Sequence, residues 1–411
     1  MKIFNRKLKI TSSALLTLCM VFVMTACAEN SSQSEKSQPA EQTTVQPTTM
    51  SAEEINDRKL DKFISDMTLE EKVGQMFFVR CPDEDAVQQV REYNIGGYIL
   101  FGRDFDGKTK DEVVDDIHSY QNEADIPLLI GVDEEGGTVV RVSSNPNLRE
   151  TPFLSPKDTY ADGGWDAVKQ DAEEKADLLL SLGINVNLAP VCDMTSDEYG
   201  FMYDRSFSSD VDIENRYVRT VVETSKSKKL GTVLKHFPGY GNNSDTHTGI
   251  AYDDRDYSEF ENTDFKPFYQ GIESGADCIL VSHNIVNCMD SEYPASLSQK
   301  VHDILRNEFK FDGVVMTDDL IMDAITDFTG DEAAAVTAAK CGNDLLCCSS
   351  VDTQYPAVLE AVQNGEISEA QVDASVKRIL KWKQNLGIFN IDTYQKKVKS
   401  TEPTDTVGSE E

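Results

Sequence analysis

The stretch Gly231-Thr232-Val233-Leu234-Lys235-His236-Phe237-Pro238-Gly239-Tyr240-Gly241 decides how the chain is read. Its first four residues form a short β-branched, apolar run, the mark of a buried strand. The strand ends in Lys235-His236 and passes into a Pro/Gly-containing loop, so two polar groups stand at its C-terminal end. The loop continues Asn242-Asn243-Ser244-Asp245-Thr246-His247, with a carboxylate and an imidazole two residues apart. A carboxylate beside a histidine orients the ring and favours its protonated form, which is what a general acid/base needs. On its own Asp245 would read as a turn cap and the glycines as turn residues. The Lys-His pair, the glycines and the Asp-x-His pair together, directly after a strand, read as a site.

The same pattern repeats on either side. Short apolar runs occur at 76–79, 97–101, 128–132, 184–189, 232–235, 278–282, 313–317 and 344–348. Between and after them lie amphipathic segments at 86–93, 110–124, 165–182, 213–228, 263–274, 298–309, 331–341, 351–363 and 368–385. Helical periodicity over Leu60 to Met67, then the capping pattern Thr68-Leu69-Glu70-Glu71, opens the series. Strands alternating with helices imply a parallel sheet. Eight such repeats predict an α/β fold of the closed (β/α)8 TIM type, as one domain over 51–395, in preference to an open doubly wound sheet. No Gly-x-Gly-x-x-Gly follows the first strand, which argues against a dinucleotide fold.

The ends of the chain differ in character. Lys2, Arg6, Lys7 and Lys9 precede an apolar run from Ala14 to Met24, the make-up of a targeting leader over 1–26. The run closes in Met24-Thr25-Ala26-Cys27, which resembles a bacterial lipobox with Cys27 as the lipidated residue. An ordinary signal peptide with Cys27 as a bystander is the alternative. Residues 27–50 are rich in Ser, Gln, Thr, Glu and Pro and read as a disordered tether, and 396–411 as a disordered tail. The expectation is a domain held outside the cytoplasm by a lipid on a bacterial cell membrane. A net charge of −33 over 411 residues speaks against nucleic acid as a partner. Seven cysteines follow Cys27, an odd number, mostly in apolar runs and without a Cys-x-x-Cys pair. They read as small buried hydrophobes, neither a disulfide framework nor a zinc site.

A barrel demands that functional groups gather where strands end. Asp133-Glu134-Glu135-Gly136-Gly137 follows the third run and Asp193 the fourth. Ser282-His283-Asn284 ends the sixth and Thr317-Asp318-Asp319 the seventh. An aspartate at a strand end often caps the next helix, but five polar strand ends together point to a site. Asp318 continues its strand and is placed to attack an anomeric carbon, with Asp319 turned back into the structure. His247, backed by Asp245, is placed to serve as the acid/base. A metal site from Asp245, His247, His236 and Asp318 is the competing chemistry. No helical histidine spacing supports it, and no metal or cofactor is expected.

These residues resemble the β-N-acetylhexosaminidases of glycoside hydrolase family three over about Ala52 to Phe389. The resemblance is carried by Lys235-His236-Phe237-Pro238-Gly239 with Asp245-Thr246-His247, by Thr317-Asp318-Asp319-Leu320 with Met322, and by Asp133-Glu134-Glu135-Gly136-Gly137 with Arg141. Arg205-Ser206-Phe207 and Pro294-Ala295-Ser296-Leu297-Ser298 complete it. It implies a single barrel and retention of anomeric configuration, with Asp318 as nucleophile, His247 as acid/base and Asp245 as its partner. Asp133, Arg141, Arg205, Lys235 and His236 match residues that grip a non-reducing N-acetylglucosamine in the family. Tyr240 stands where the family usually has histidine, Thr138 where it has arginine and Glu134 where it has glutamine. The implied activity is a retaining exo-β-N-acetylglucosaminidase acting on cell-wall fragments or other β-linked N-acetylglucosamine-containing glycans, as a monomer. A non-catalytic glycan-binding lipoprotein and a β-glycoside phosphorylase with the same residues are the alternatives.

Overall fold

Eight parallel strands alternate with helices along the chain: β1 (Phe77–Arg80), β2 (Gly97–Leu100), β3 (Leu129–Val132), β4 (Val186–Asn187), β5 (Gly231–Phe237), β6 (Cys278–Val281), β7 (Val314–Thr317) and β8 (Leu346–Cys348). The structure, a computed structural model, describes residues 50–243, 249–329 and 331–396. The leader, Cys27, the tether and the tail beyond 396 lie outside the described residues, as do Asp245 and His247. Contacts gather the described residues from Ser51 onward into one compact unit. Each expected strand is present, and hydrogen bonds join the strands in the order β8-β1-β2-β3-β4-β5-β6-β7. A bridge from Met316 to Leu345 closes the ring, with Thr317 N–H donating to Leu345 O at 3.1 Å. The expected (β/α)8 barrel is therefore observed.

The register fixes what points inward. Phe78 is level with Leu129 through Gly97. Because strands tilt in a closed barrel, the inner neighbour of Phe78 lies higher on β3. It is Gly131, where an added Cβ would sit 2.5 Å from Phe78 Cζ and 3.0 Å from Leu188 Cδ1. Carrying the register round brings Val233 and Met316 to the same layer. One residue higher, the even strands contribute Ile99, Leu188, Leu280 and Cys347. One residue higher again, the odd strands contribute Arg80, Asp133, Lys235 and Asp318. Layers of four from alternate strands are the packing rule of this barrel. Here the two inner layers are apolar or glycine and the outermost is charged.

Local signals set the outer helices. Ser51 with Glu54, Thr68 with Glu71 and Thr109 with Glu112 form reciprocal capping boxes at three helix starts. The helix expected from Trp165 is the second arm of a longer element, Pro156–Leu182, broken at Gly163–Gly164 where Gly164 has φ +65°. The helix expected over 298–309 changes winding: Gln299–Asp303 is α and Ile304–Glu308 is a π turn, with Phe309 N–H donating to Ile304 O at 3.1 Å. All seven described cysteines are free; Cys288 is exposed and the other six are buried.

Gly131 is thus a space requirement of the barrel. Gly131→Val is expected to destabilise by about 1–3 kcal/mol through overpacking, read as a lower urea midpoint with unchanged m-value. Lys383 gives a second expectation. It is fully buried in the last helix and donates to Gln75 Oε1 at 2.7 Å. It has no carboxylate within ion-pair distance among the described residues. Burial pulls its pKa down to about 7, against about 10.4 in an unfolded chain. Between those values the unfolded state binds more protons, so stability rises with pH across that window. Relative to Lys383→Met, wild-type unfolding free energy is expected to climb by on the order of 4 kcal/mol from pH 7 to 10, measured by urea titration.

Candidate active site

A cleft of about 600 Å³ opens at the C-terminal ends of the strands. Ile99, Leu188, Leu280 and Cys347 line it from below and Arg80, Asp133, Lys235 and Asp318 from the layer above. The candidate binding residues Arg141, Arg205 and His236 line it too. Six of the residues singled out from sequence therefore meet in one cavity: Asp133, Arg141, Arg205, Lys235, His236 and Asp318. Asp245 and His247 lie outside the described residues. The chain on their N-terminal side is close by, since Tyr240 lines the same cleft.

The charges at the mouth form one network. Lys235 Nζ lies 2.6 Å from Asp133 Oδ1 and 2.6 Å from Glu135 Oε1. Arg205 makes a two-pronged pair with Glu135, Nε to Oε2 at 2.9 Å and Nη2 to Oε1 at 2.7 Å. Burial works against the Glu135 carboxylate, but Lys235 and Arg205 outweigh it and hold its pKa well below the usual range. Burial likewise opposes the Lys235 ammonium, and Asp133 and Glu135 overcome it and raise its pKa. Glu135 was visible in the sequence only as part of a motif; its role as the shared counter-charge comes from the fold.

His236 is fixed from behind. Its Nδ1 lies 2.7 Å from Asp193 Oδ2, and Arg205 Nη2 lies 3.3 Å from its Nε2. A guanidinium only donates, so Nε2 accepts and the ring proton sits on Nδ1, facing Asp193. The same fully buried carboxylate accepts the His236 N–H at 3.0 Å and the Tyr240 N–H at 2.7 Å. Asp193 thus ties the end of β5 to the start of the loop that follows. The loop is braced further by Arg255. Its Nε and Nη2 bind Asp253, its Nη1 reaches Asp264 Oδ2 at 3.0 Å, and its Nη2 donates to Gly239 O at 3.2 Å. Gly239 has φ +124°, and a Cβ there would lie 2.3 Å from Asp264 Oδ1, so no other residue fits.

The two adjacent aspartates both border the cleft but are held differently. Asp319 is held by Ser349 Oγ at 2.8 Å and by the Ile321 N–H at 3.2 Å, and burial pushes its carboxyl up. Asp318 accepts the Asp319 N–H on Oδ1 at 2.9 Å while lining the cleft. His283, fully buried at the end of β6, supports this turn: Nε2 donates to Asp319 O at 3.0 Å and Nδ1 accepts from Ser296 Oγ at 2.7 Å. Glu134 is buried and faces away from the cleft. It accepts the backbone N–H groups of Arg141 at 2.9 Å and Val142 at 2.7 Å, and the Ser143 hydroxyl, so it shapes the loop that delivers Arg141.

Comparison with known proteins bears on this cleft. Residues 68–382 match the glycosyl hydrolase family 3 N-terminal domain. A β-hexosaminidase of Hydrogenovibrio crunogenus is 31% identical over 286 residues, which cover 68% of this chain and 79% of that protein. A family 3 β-N-acetylglucosaminidase from Paenibacillus sp. str. FPU-7 superposes with a TM-score of 0.74 at 30% identity, over 84% of this chain and 66% of that one. A β-N-acetylhexosaminidase from Beutenbergia cavernae superposes with a TM-score of 0.71 at 25% identity, over 78% of this chain and 99% of that one. The closed barrel, the polar ring at its mouth and a sequence match over most of its length agree: the chain belongs to glycosyl hydrolase family 3 and is a glycoside hydrolase.

Proposed function

We propose that the enzyme is a retaining exo-β-N-acetylglucosaminidase that releases terminal N-acetylglucosamine from cell-wall fragments or other β-linked glycans. The observation that carries this reading is the cleft itself, with Asp318 on one side and the Lys235–Glu135–Arg205 network on another. The cleft is closed below by the apolar layer of Ile99, Leu188, Leu280 and Cys347. Asp133 and Glu135 accept hydrogen bonds from sugar hydroxyls, and Arg205, Lys235 and Arg141 donate them. Asp133 and Glu135 offset the charges of Lys235 and Arg205, while Arg141 has no carboxylate within ion-pair distance among the described residues. The relatives named β-hexosaminidase and β-N-acetylglucosaminidase support the same substrate.

In this reading Asp318 attacks the anomeric carbon as the leaving oxygen is protonated, giving a glycosyl-aspartate. His247, oriented by Asp245, supplies that proton and then takes one from the water that releases the sugar. Asp319, bonded to Ser349 and Ile321, stays out of the reaction and steadies the turn. One chain supplies every group the cycle needs, so a monomer suffices. The Met24-Thr25-Ala26-Cys27 sequence supports a lipid on Cys27 that holds the enzyme outside the cytoplasm at the membrane.

Turnover of an aryl β-N-acetylglucosaminide is expected to fall by on the order of a thousandfold or more in Asp318→Asn. In His247→Ala it falls by about 10²–10⁴-fold. The His247→Ala loss is smaller with better leaving groups, which need less protonation. Full activity in both variants would refute the assignment. Separately, Cys27→Ser is expected to move the enzyme from the membrane fraction to the soluble one on cell fractionation.

A further inference from the structure

The charged ring at the barrel mouth has four members, and three already have work. Asp133 and Lys235 pair with each other, and Asp318 is the proposed nucleophile. The fourth, Arg80, ends β1 and by strand order stands opposite Lys235, with Asp133 and Asp318 as its neighbours in the ring. Its guanidinium lies 4.4 Å from the centre of the Phe101 ring, which holds a cation without neutralising it. Among the described residues no carboxylate comes within ion-pair distance and no hydrogen bond reaches it. Its Nε is buried and has no hydrogen-bond partner among the described residues. By contrast Arg205 and Lys235 in the same cleft are both neutralised by carboxylates. A half-buried guanidinium with an unused donor has given up hydration that the Phe101 ring and the nearby charge of Asp319 repay only in part. An acceptor entering the cleft repairs that deficit.

We propose that Arg80 is a substrate-binding residue that donates hydrogen bonds to an oxygen of the bound glycan on the wall formed by β8, β1 and β2. The inference rests on the glycosidase reading of the cleft and adds a grip to it. That oxygen belongs either to the terminal N-acetylglucosamine or to a carboxylate carried by the sugar that leaves. Both present the same acceptor chemistry to a guanidinium.

The test compares wild type, Arg80→Met and Arg80→Lys. Two substrates are used: p-nitrophenyl β-N-acetylglucosaminide, and a β-1,4-linked N-acetylglucosamine disaccharide whose reducing sugar bears a lactyl carboxylate. Direct titration of N-acetylglucosamine and of the disaccharide into each protein by calorimetry accompanies the kinetics. Arg80→Met is expected to raise KM and the dissociation constant by about tenfold or more, the cost of one charged hydrogen bond. The change in kcat is smaller, the thermal midpoint holds, and Arg80→Lys recovers part of the affinity. Loss on both ligands assigns the contact to the terminal sugar; loss on the disaccharide alone assigns it to the leaving sugar's carboxylate. If Arg80→Met lowers the thermal midpoint, Arg80→Lys, which keeps the charge over Phe101, carries the comparison. The proposal is overturned if every KM and dissociation constant in Arg80→Met stays within about twofold of wild type. A wild type that hydrolyses neither substrate would sink the glycosidase reading, and the calorimetry would still decide Arg80.

Discussion

Closing eight tilted strands into a ring forces their inward side chains into stacked layers of four, and this constraint governs everything above it. The interior rewards shape and apolar area. Gly131 has to be small because Phe78 fills its place. Where the ring reaches solvent the rule reverses, and the next inward position on each odd strand carries a charge. The site is the first layer of the barrel that no longer has to be core.

Charge is managed in that layer by sharing. Glu135 serves both Lys235 and Arg205, and Lys235 serves both Asp133 and Glu135. Burying one ion is costly, and removing a partner from a buried pair leaves the other uncompensated. Glu135 and Lys235 are therefore each held by two counter-charges, and the geometry of the network is set by the protein's own groups. Asp193 performs the same service for His236. It fixes which ring nitrogen carries the proton and anchors the following backbone with its second oxygen.

Much of this was legible in the sequence, because the barrel writes its strands as short apolar runs ending in polar residues. All eight runs are strands, and the strand-end residues Asp133, Lys235, His236 and Asp318 share one cleft. The rest depended on distance along the chain. Asp193 and His236 are 43 residues apart, and nothing local links them. Arg80 closes the plain run Phe77-Phe78-Val79-Arg80, and only the register reveals that it joins the ring. Glu134 sits in a motif full of site residues yet faces the backbone of its own loop, which alternation along the chain allows but does not announce. The first arm of the Pro156–Leu182 helix was hidden because the Gly163–Gly164 pair reads as a boundary when it is a kink.

The separation between the apolar layers and the charged ring has a consequence for how such a protein changes over generations. Arg80, which no ion pair among the described residues holds, has less cohesive duty than its ring neighbours Lys235 and Asp133, so recognition at that position is free to drift while the barrel stays closed. Exchanging an arginine for another polar group at the rim edits the vocabulary of recognition without touching the grammar of packing. The thickness of a single apolar layer, Ile99, Leu188, Leu280 and Cys347, is what insulates one from the other.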